Sequence, residues 1–457
     1  LHQSGGYAWL CIAVCSLWFF LTANPFKIVL LDFGAGYYNY KRVLQLGLIC
    51  VITLLVFFRG YRVKIADIVN RKELVFPWLL SCLFIFISAA FSDNRYQSSL
   101  ESIHWLTLIS VFAVGVYIAR MKLSQWLLGI FLFCHGLMVV KSLFYLGFEL
   151  FISEILRAAV IFTFVDNIRF FNQVQAFIMP LLLIFAARTR FSSLAYLFLF
   201  ANLLLAFASG ARGLLLSVFV VGILSFVLLR SWRRDILYGL VIYVCAFIVY
   251  VLLLAYLGEV TSAFRTGASG RLEMWVELLR NFSALNILFG HGMGSYTFYN
   301  FMYSFGHPHN SLLQFLYEWG AIATLAAVSV ILRVYWASYQ QIINSRNTQN
   351  VDIQAALLVA LCTASVYSLF SGVLVMPVPQ TLFFLLMGLL VGGGKAEEGV
   401  ALKITLPVSV ALRFLCAICL VVFVELTGKY LVQQAGQQEQ IRGPRFWGNG
   451  APLIISD

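Results

Sequence analysis

Along most of the chain, apolar residues run in unbroken stretches of about 20, the length one helix needs to cross a hydrocarbon layer. Such stretches fall near 7–22, 41–58, 73–91, 102–119, 123–147, 168–187, 193–209, 213–230, 236–258, 320–338, 353–375, 379–393 and 405–426. The pattern predicts an all-α polytopic membrane protein of about 12–13 transmembrane helices. Continuous apolar runs exclude a β-barrel, whose strands alternate apolar and polar positions. Four parts follow: a transmembrane bundle over 1–258, a hydrophilic loop over 259–319, C-terminal helices over 320–426 and a polar tail over 427–457.

Composition agrees, since 61% of the 457 residues are hydrophobic and only 11% charged. No water-soluble surface can be tiled from so few charges. The nine cysteines, among them Cys11, Cys15, Cys82, Cys134, Cys245 and Cys362, lie nearly all inside apolar stretches. With no CxxC or metal-ligand spacing among the loop residues, they read as small buried hydrophobes. The net charge of +12 comes from basic residues scattered singly between apolar runs. Membrane lipids and anionic partners suit that pattern; nucleic acid does not. Residues 7–22 are followed by no convincing small-residue cleavage site and are expected to remain as a first helix.

If the spans alternate, "RGYRVKIADIVNRK" (59–72), "RMK" (120–122), "RTR" (188–190) and "RSWRRD" (230–235) share one side, which the positive-inside rule makes cytoplasmic. The opposite side receives the loop at 93–99, residues 148–167, the "SGARG" corner (209–213) and the loop 259–319. Basic residues there run against the preference: Arg157, Arg169, Arg212, Arg265, Arg271 and Arg280. Each alone is open to a bland account, snorkelling to lipid phosphates or satisfying a helix end. Six on one face predict an anion site, because guanidinium forks suit phosphate.

Within the long loop, "SGRLEMWVELLRNF" (269–282) spaces Leu272, Trp275, Val276 and Leu279 as one helical face, with Glu273, Glu277 and Arg280 elsewhere. A short amphipathic helix at the membrane surface is expected. "LFGHGMGSY" (288–296) follows no strand, so its glycines signal a turned or flexible backbone and no dinucleotide fingerprint. In "GHPHNSLLQFLYEWG" (306–320), Pro308 extends the backbone at His307, and Asn310 or Ser311 suits the N-cap of the next helix. Capping leaves two imidazoles unexplained, and a near-neutral pKa is what sets histidine apart. His291, His307 and His309 offer three nitrogens to a metal, yet alternate side chains around a proline rarely converge. General-base catalysis by an imidazole is the stronger expectation. Tyr296, Tyr299 and Tyr303 suit either a sugar-binding surface or an interfacial belt.

The spans, the "SGARG" corner, "GRLEMW" followed by "LFGHGMGSY", and "HPHNSLLQFLYEWG" together resemble the O-antigen ligase and O-antigen polymerase superfamily, which includes bacterial protein-directed oligosaccharyltransferases. The motifs lie mainly within 205–325; the rest resembles the superfamily only as a pattern of spans. The resemblance implies a GT-C-like fold with one long periplasmic loop. It also implies transfer of a glycan from undecaprenyl diphosphate to an acceptor at the periplasmic face of the bacterial inner membrane, without a metal or other cofactor. Residue by residue, it implies that Arg212 and Arg271 hold the diphosphate and that His309, followed by Asn310, is the base. For the third arginine Arg169 in "IRFFNQVQ" is preferred, with Arg265 next. His307 has no secure counterpart, and Glu318 orients His309 only if the chain folds back.

The expected activity is that of an O-antigen ligase with a lipid A-core sugar hydroxyl as acceptor. The alternatives are an O-antigen polymerase, a protein O-oligosaccharyltransferase and a lipid-linked glycan transporter. The chemistry fits the residues on its own terms, because a departing diphosphate needs charge neutralisation more than a proton donor. The outward loops carry no DxD pair of the kind a Mg2+ or Mn2+ transferase uses. A transporter would show ionisable residues mid-membrane, where only His135, Lys141 and Glu425 qualify, and no internal repeat is apparent.

Overall fold

A computed structural model describes residues 2–23, 36–58, 72–153, 156–163, 165, 167–185, 188–258, 270–297, 306–345, 348–394, 417–418, 420–425, 427–428 and 445. Among these residues every regular element is helical. The helices are α1 (His2–Thr22), α2 (Gly36–Phe58), α3 (Lys72–Ala90), α4 (Arg95–Arg120), α5 (Ser124–Phe148), α6 (Ile168–Pro180) and α7 (Ser192–Ala208). They continue with α8 (Arg212–Leu228), α9 (Arg233–Tyr256), α10 (Arg271–Arg280), α11 (Ala284–Phe289), α12 (Ser311–Asn344), α13 (Thr348–Tyr367) and α14 (Pro377–Gly393). Six described helices are long and apolar enough to cross a membrane, and five shorter apolar helices accompany them. The protein is an all-α polytopic membrane protein.

Burial is inverted relative to a water-soluble fold. Phe76, Phe144, Phe151 and Leu197 are exposed on the outside, while Gln45, Glu101, His104, Asn172, Gln175 and Asn202 are buried. In lipid the outside needs no polar group, whereas interior polar side chains find one another. His135, for example, meets the Asn202 amide oxygen at 2.8 Å between α5 and α7. Where α4 and α14 pack, a methyl group on Gly388 would overlap the Phe112 carbonyl, so the two backbones approach as only small residues permit.

Polar contacts mark the two ends of the bundle. At one, Arg188 pairs with Asp235 at 2.6 Å and Asp352 at 3.0 Å, and the Trp232 indole N–H donates to Asp352 at 2.8 Å. The basic loops at 188–190 and 230–235 therefore share an end, as charge alternation predicts. The other end gathers the starts of α6, α8, α12 and α14 with the ends of α7 and α13. There Ser209 bonds Asn172 at 3.1 Å, Gln173 bonds Ser371 at 2.9 Å, and the Ser311 amide donates to the Ser368 carbonyl at 2.9 Å.

Two predicted spans change on inspection. The span expected at 320–338 begins earlier, at Ser311, and is interrupted at Gly320, whose φ of 80° no L side chain adopts comfortably. At the break the Tyr317 and Glu318 carbonyls turn to another segment of the chain. They accept from the amides of His291 (3.0 Å) and Gly292 (2.9 Å), and Ser88 adds a hydroxyl to Glu318 at 2.6 Å. The glycine-rich stretch is thus a docked turn, with Gly290, Gly292 and Gly294 all at positive φ. The span expected at 353–375 stops at Tyr367, because residues 368–376 turn before Pro377 opens α14. Most of the span expected at 405–426 lies outside the described residues.

Helix α10 is apolar on two faces. Met274 and Leu278 are buried with Tyr296 and Tyr317, whereas Leu272, Val276 and Leu279 of the predicted stripe are exposed. That stripe faces away from the protein, as a helix at a membrane surface requires. Tyr296 is 1% exposed and cannot line a sugar-binding surface; Tyr299 and Tyr303 lie outside the described residues.

Candidate active site

Three arginines and one histidine each stand within two residues of a helix N-terminus. Asn167 caps α6 by accepting from the Arg169 amide at 2.9 Å, so Arg169 leaves from the first turn. Gly210, at φ 65°, turns the chain between α7 and α8, and Arg212 is the first residue of α8. Gly270, at φ 71°, precedes Arg271, the first residue of α10. Asn310 caps α12 by accepting from the Leu313 amide at 3.0 Å, with His309 just before it. Helix N-termini add their own partial positive charge to that of the guanidinium groups.

His309 is 8% exposed and takes a left-handed backbone, φ 55°. Residues other than glycine are uncommon there, although histidine tolerates it better than most, and such geometry concentrates at functional positions. Arg169 Nη1 lies 3.3 Å from His309 Nε2 and 3.5 Å from Nδ1. A guanidinium only donates, so the imidazole meets it with an accepting nitrogen. Burial first, then the charges of Arg169 and Arg271, bring the His309 pKa down to about 3. Burial and then Arg169 likewise lower that of Arg271, with Tyr367 opposing them and Arg212 adding the smallest lowering. Cations held this close repel one another, and an anion between them relieves the repulsion.

The arginine set is smaller than the sequence suggests. Arg157 is bound by the Glu149 carboxylate through two 3.0 Å contacts, so its charge is already answered. Arg280 sits at the far end of α10 from Arg271. Arg265 lies outside the described residues. Among the described residues, Arg169 and Arg212 both come within electrostatic reach of Arg271.

The supporting residues separate. His307 is 4% exposed, and its Nδ1 accepts the His309 amide at 3.1 Å. His291 lies apart: it bonds Asn286 at 2.8 Å and stacks on Tyr317 with centroids 4.1 Å apart. The three imidazoles do not converge, and no group of three metal-ligating side chains forms among the described residues. Glu318 is fully buried two turns into α12, and its carboxylate meets Arg445 at 2.6 Å and Gln314 at 3.3 Å; His309 is not among these partners.

Glu318 belongs to a buried polar core that sequence reading missed. Arg445 also pairs with Glu101 at 2.8 Å, and its carbonyl accepts from Tyr38 at 2.6 Å and Arg42 at 3.2 Å. Arg42 further reaches Gln45, Gln380 and the Val375 carbonyl. A cavity is lined by Arg42, Glu101, His104, Gln314, Glu318 and Arg445. Glu101 and His104, nearly one turn apart inside an apolar helix, were the visible signal; nothing marked Arg445 as their neighbour.

These placements put Arg212, Arg271, His309 and Glu318 inside one stretch of chain that a known family shares. Residues 195–328 match the O-antigen ligase family model. The family consists of membrane glycosyltransferases of the ligase and polymerase kind, and here its segment sits in a multi-pass helical bundle. Arg169, Glu101 and Arg445 lie outside the O-antigen ligase segment, although the fold carries them to it. No curated protein matches the chain.

Proposed function

We propose that the protein is an O-antigen ligase that transfers a glycan from undecaprenyl diphosphate to a sugar hydroxyl of lipid A-core, at the periplasmic face of the bacterial inner membrane. The observation that carries this reading is His309, buried and neutral, against Arg169, with Arg271 acting on both.

The acceptor hydroxyl oxygen attacks the anomeric carbon of the donor glycan, and its proton passes to the one accepting nitrogen of the neutral His309 ring, which Arg169 gives up as it turns to the bound diphosphate. The bond from that carbon to the diphosphate breaks, and its electron pair leaves with the undecaprenyl diphosphate. Arg169, Arg212 and Arg271 take up the charge that develops there. A single displacement inverts the anomeric configuration.

Burial, reinforced by Arg169 and Arg271, brings His309 to about 3 and makes it a feeble base in the empty site. A bound diphosphate offsets the arginines' charge and raises the imidazole's proton affinity, so donor binding prepares the base. A positioned base of matched pKa contributes roughly 100- to 10,000-fold.

The test is transfer by the purified protein in lipid nanodiscs, given undecaprenyl diphosphate-linked glycan with lipid A-core or a second lipid-linked repeat. Glycosylated lipid A-core is expected. Elongation of the second repeat alone would assign a polymerase, and no product with either acceptor would sink the transferase reading. Retained configuration at the new bond would exclude the single displacement.

A further inference from the structure

Three backbone groups around His309, the Pro308 carbonyl and the His309 and Ser311 amides, are held by specific partners. The Trp275 indole N–H donates to the Pro308 carbonyl at 2.8 Å. His307 Nδ1 accepts the His309 amide at 3.1 Å. Asn310 caps α12, and the Ser311 amide donates to Ser368 at 2.9 Å. The bond at His309 supports its left-handed backbone, φ 55°.

We infer that His307 is a positioning residue: as an acceptor for the His309 amide, it locks the left-handed turn that holds the His309 ring beside Arg169. The contact runs from a side chain to the amide two residues on, as in an Asx turn, with imidazole Nδ1 taking the place of the carboxamide oxygen. Both acceptors sit on the atom after Cγ, so their reach is the same. The role needs a neutral ring with its proton on Nε2, because a protonated Nδ1 has no lone pair to offer.

The surroundings fix that ring. Its Cε1 and Nε2 edge lies against Gly372, where an added Cβ would come within 2.7 and 2.8 Å of those atoms. The His309 ring meets it edge-on, with centroids 4.3 Å apart. Burial, then His309, Arg445, Arg169 and Arg271, all disfavour a charged imidazole at this position. His307 is therefore held as an acceptor on one side and packed against backbone on the other, which leaves it no access to the acceptor sugar.

The inference rests on the proposed role of His309, so its test carries a readout that does not depend on catalysis. His307→Leu fills the space without an acceptor; His307→Gln carries its amide oxygen one bond too far; His307→Asn restores the acceptor. Amide exchange over residues 309–312, at His309 above all, should quicken in the Leu and Gln variants and slow again in His307→Asn. If transfer is observed, kcat should fall about 100-fold in the Leu variant, as for a reacting group displaced by an ångström. The donor KM should move little, and Asn should recover at least about tenfold of the loss. An Asn variant as slow as Leu in both readouts would overturn the inference, as would a Leu variant that matches wild type. A wild type without transfer activity removes the functional reading alone; the exchange comparison still decides whether His307 holds the turn.

Discussion

Trp275 donates its indole N–H to the Pro308 carbonyl over 2.8 Å, so α10 holds the backbone of the histidine turn. Trp275→Phe keeps the ring and removes the donor. A neutral hydrogen bond is worth about 1 kcal/mol. Turnover should fall about fivefold while the melting temperature shifts by only a few degrees. Equal turnover in the two proteins would show that the clamp is idle.

Arg169 also sets the acidity of His309. Burial, Arg169 and Arg271 bring that imidazole from 6.5 to about 3. Arg169→Met removes one cation, so the midpoint should rise towards 6.5. The acid limb of kcat/KM, which reports the free enzyme, then moves to higher pH. A limb that stays in place would show that Arg169 does not act on the base, whatever happens to the absolute rate.

The same depressed pKa links stability to pH. Between about 3 and 6.5 the unfolded chain binds more protons at His309 than the folded one. The stability supplied by the neutral ring is fully present above 6.5 and is lost as pH falls through about 3. Thermal unfolding followed from pH 7 to pH 4 should show a shallower decline in His309→Gln than in wild type.

At the start of α8, Arg212 lies within electrostatic reach of Arg271. Lysine keeps the charge and loses the fork. Arg212→Lys should weaken donor use about tenfold through KM, roughly one charge-assisted hydrogen bond. Unchanged donor KM would remove Arg212 from the site.

Arg445 answers two buried carboxylates at once, Glu101 at 2.8 Å and Glu318 at 2.6 Å. Removing one partner of a buried pair costs roughly 3–5 kcal/mol, because the charge left behind stays unsolvated. Arg445→Met should therefore destabilise the bundle severely, and Glu101→Gln added to it should restore part of the loss. Additive effects in that double-mutant cycle would contradict the contact.

The spans were legible because about 20 apolar residues suffice to mark a crossing, wherever it packs. The cap at Asn310 was legible for a similar reason, since the signal is local. Contacts between distant segments were not. Arg157 counted as an outward cation because its partner Glu149 is concealed at the end of an apolar run. The interruption of α12 was invisible because the groups that meet its Tyr317 and Glu318 carbonyls come from His291, Gly292 and Ser88. Arg169 was chosen through resemblance, yet it lies outside the family segment and reaches His309 only through the start of α6. Met274 and Leu278 form the inner face of α10, but its outer stripe was the one with the cleaner spacing.

The break at Gly320 divides α12 into two rods that share a name but not a hydrogen-bond ladder. The upper rod, Ser311 to Trp319, is bolted sideways to Ser88 and the glycine turn. A shift of the lower rod, from bilayer thickness or tension, is therefore shared with α3, which holds that rod as well through Ser81 and the Ala323 carbonyl at 3.1 Å. The histidine turn is in this sense moored to α10 and, through the upper rod, to α3, as well as to the helix it caps.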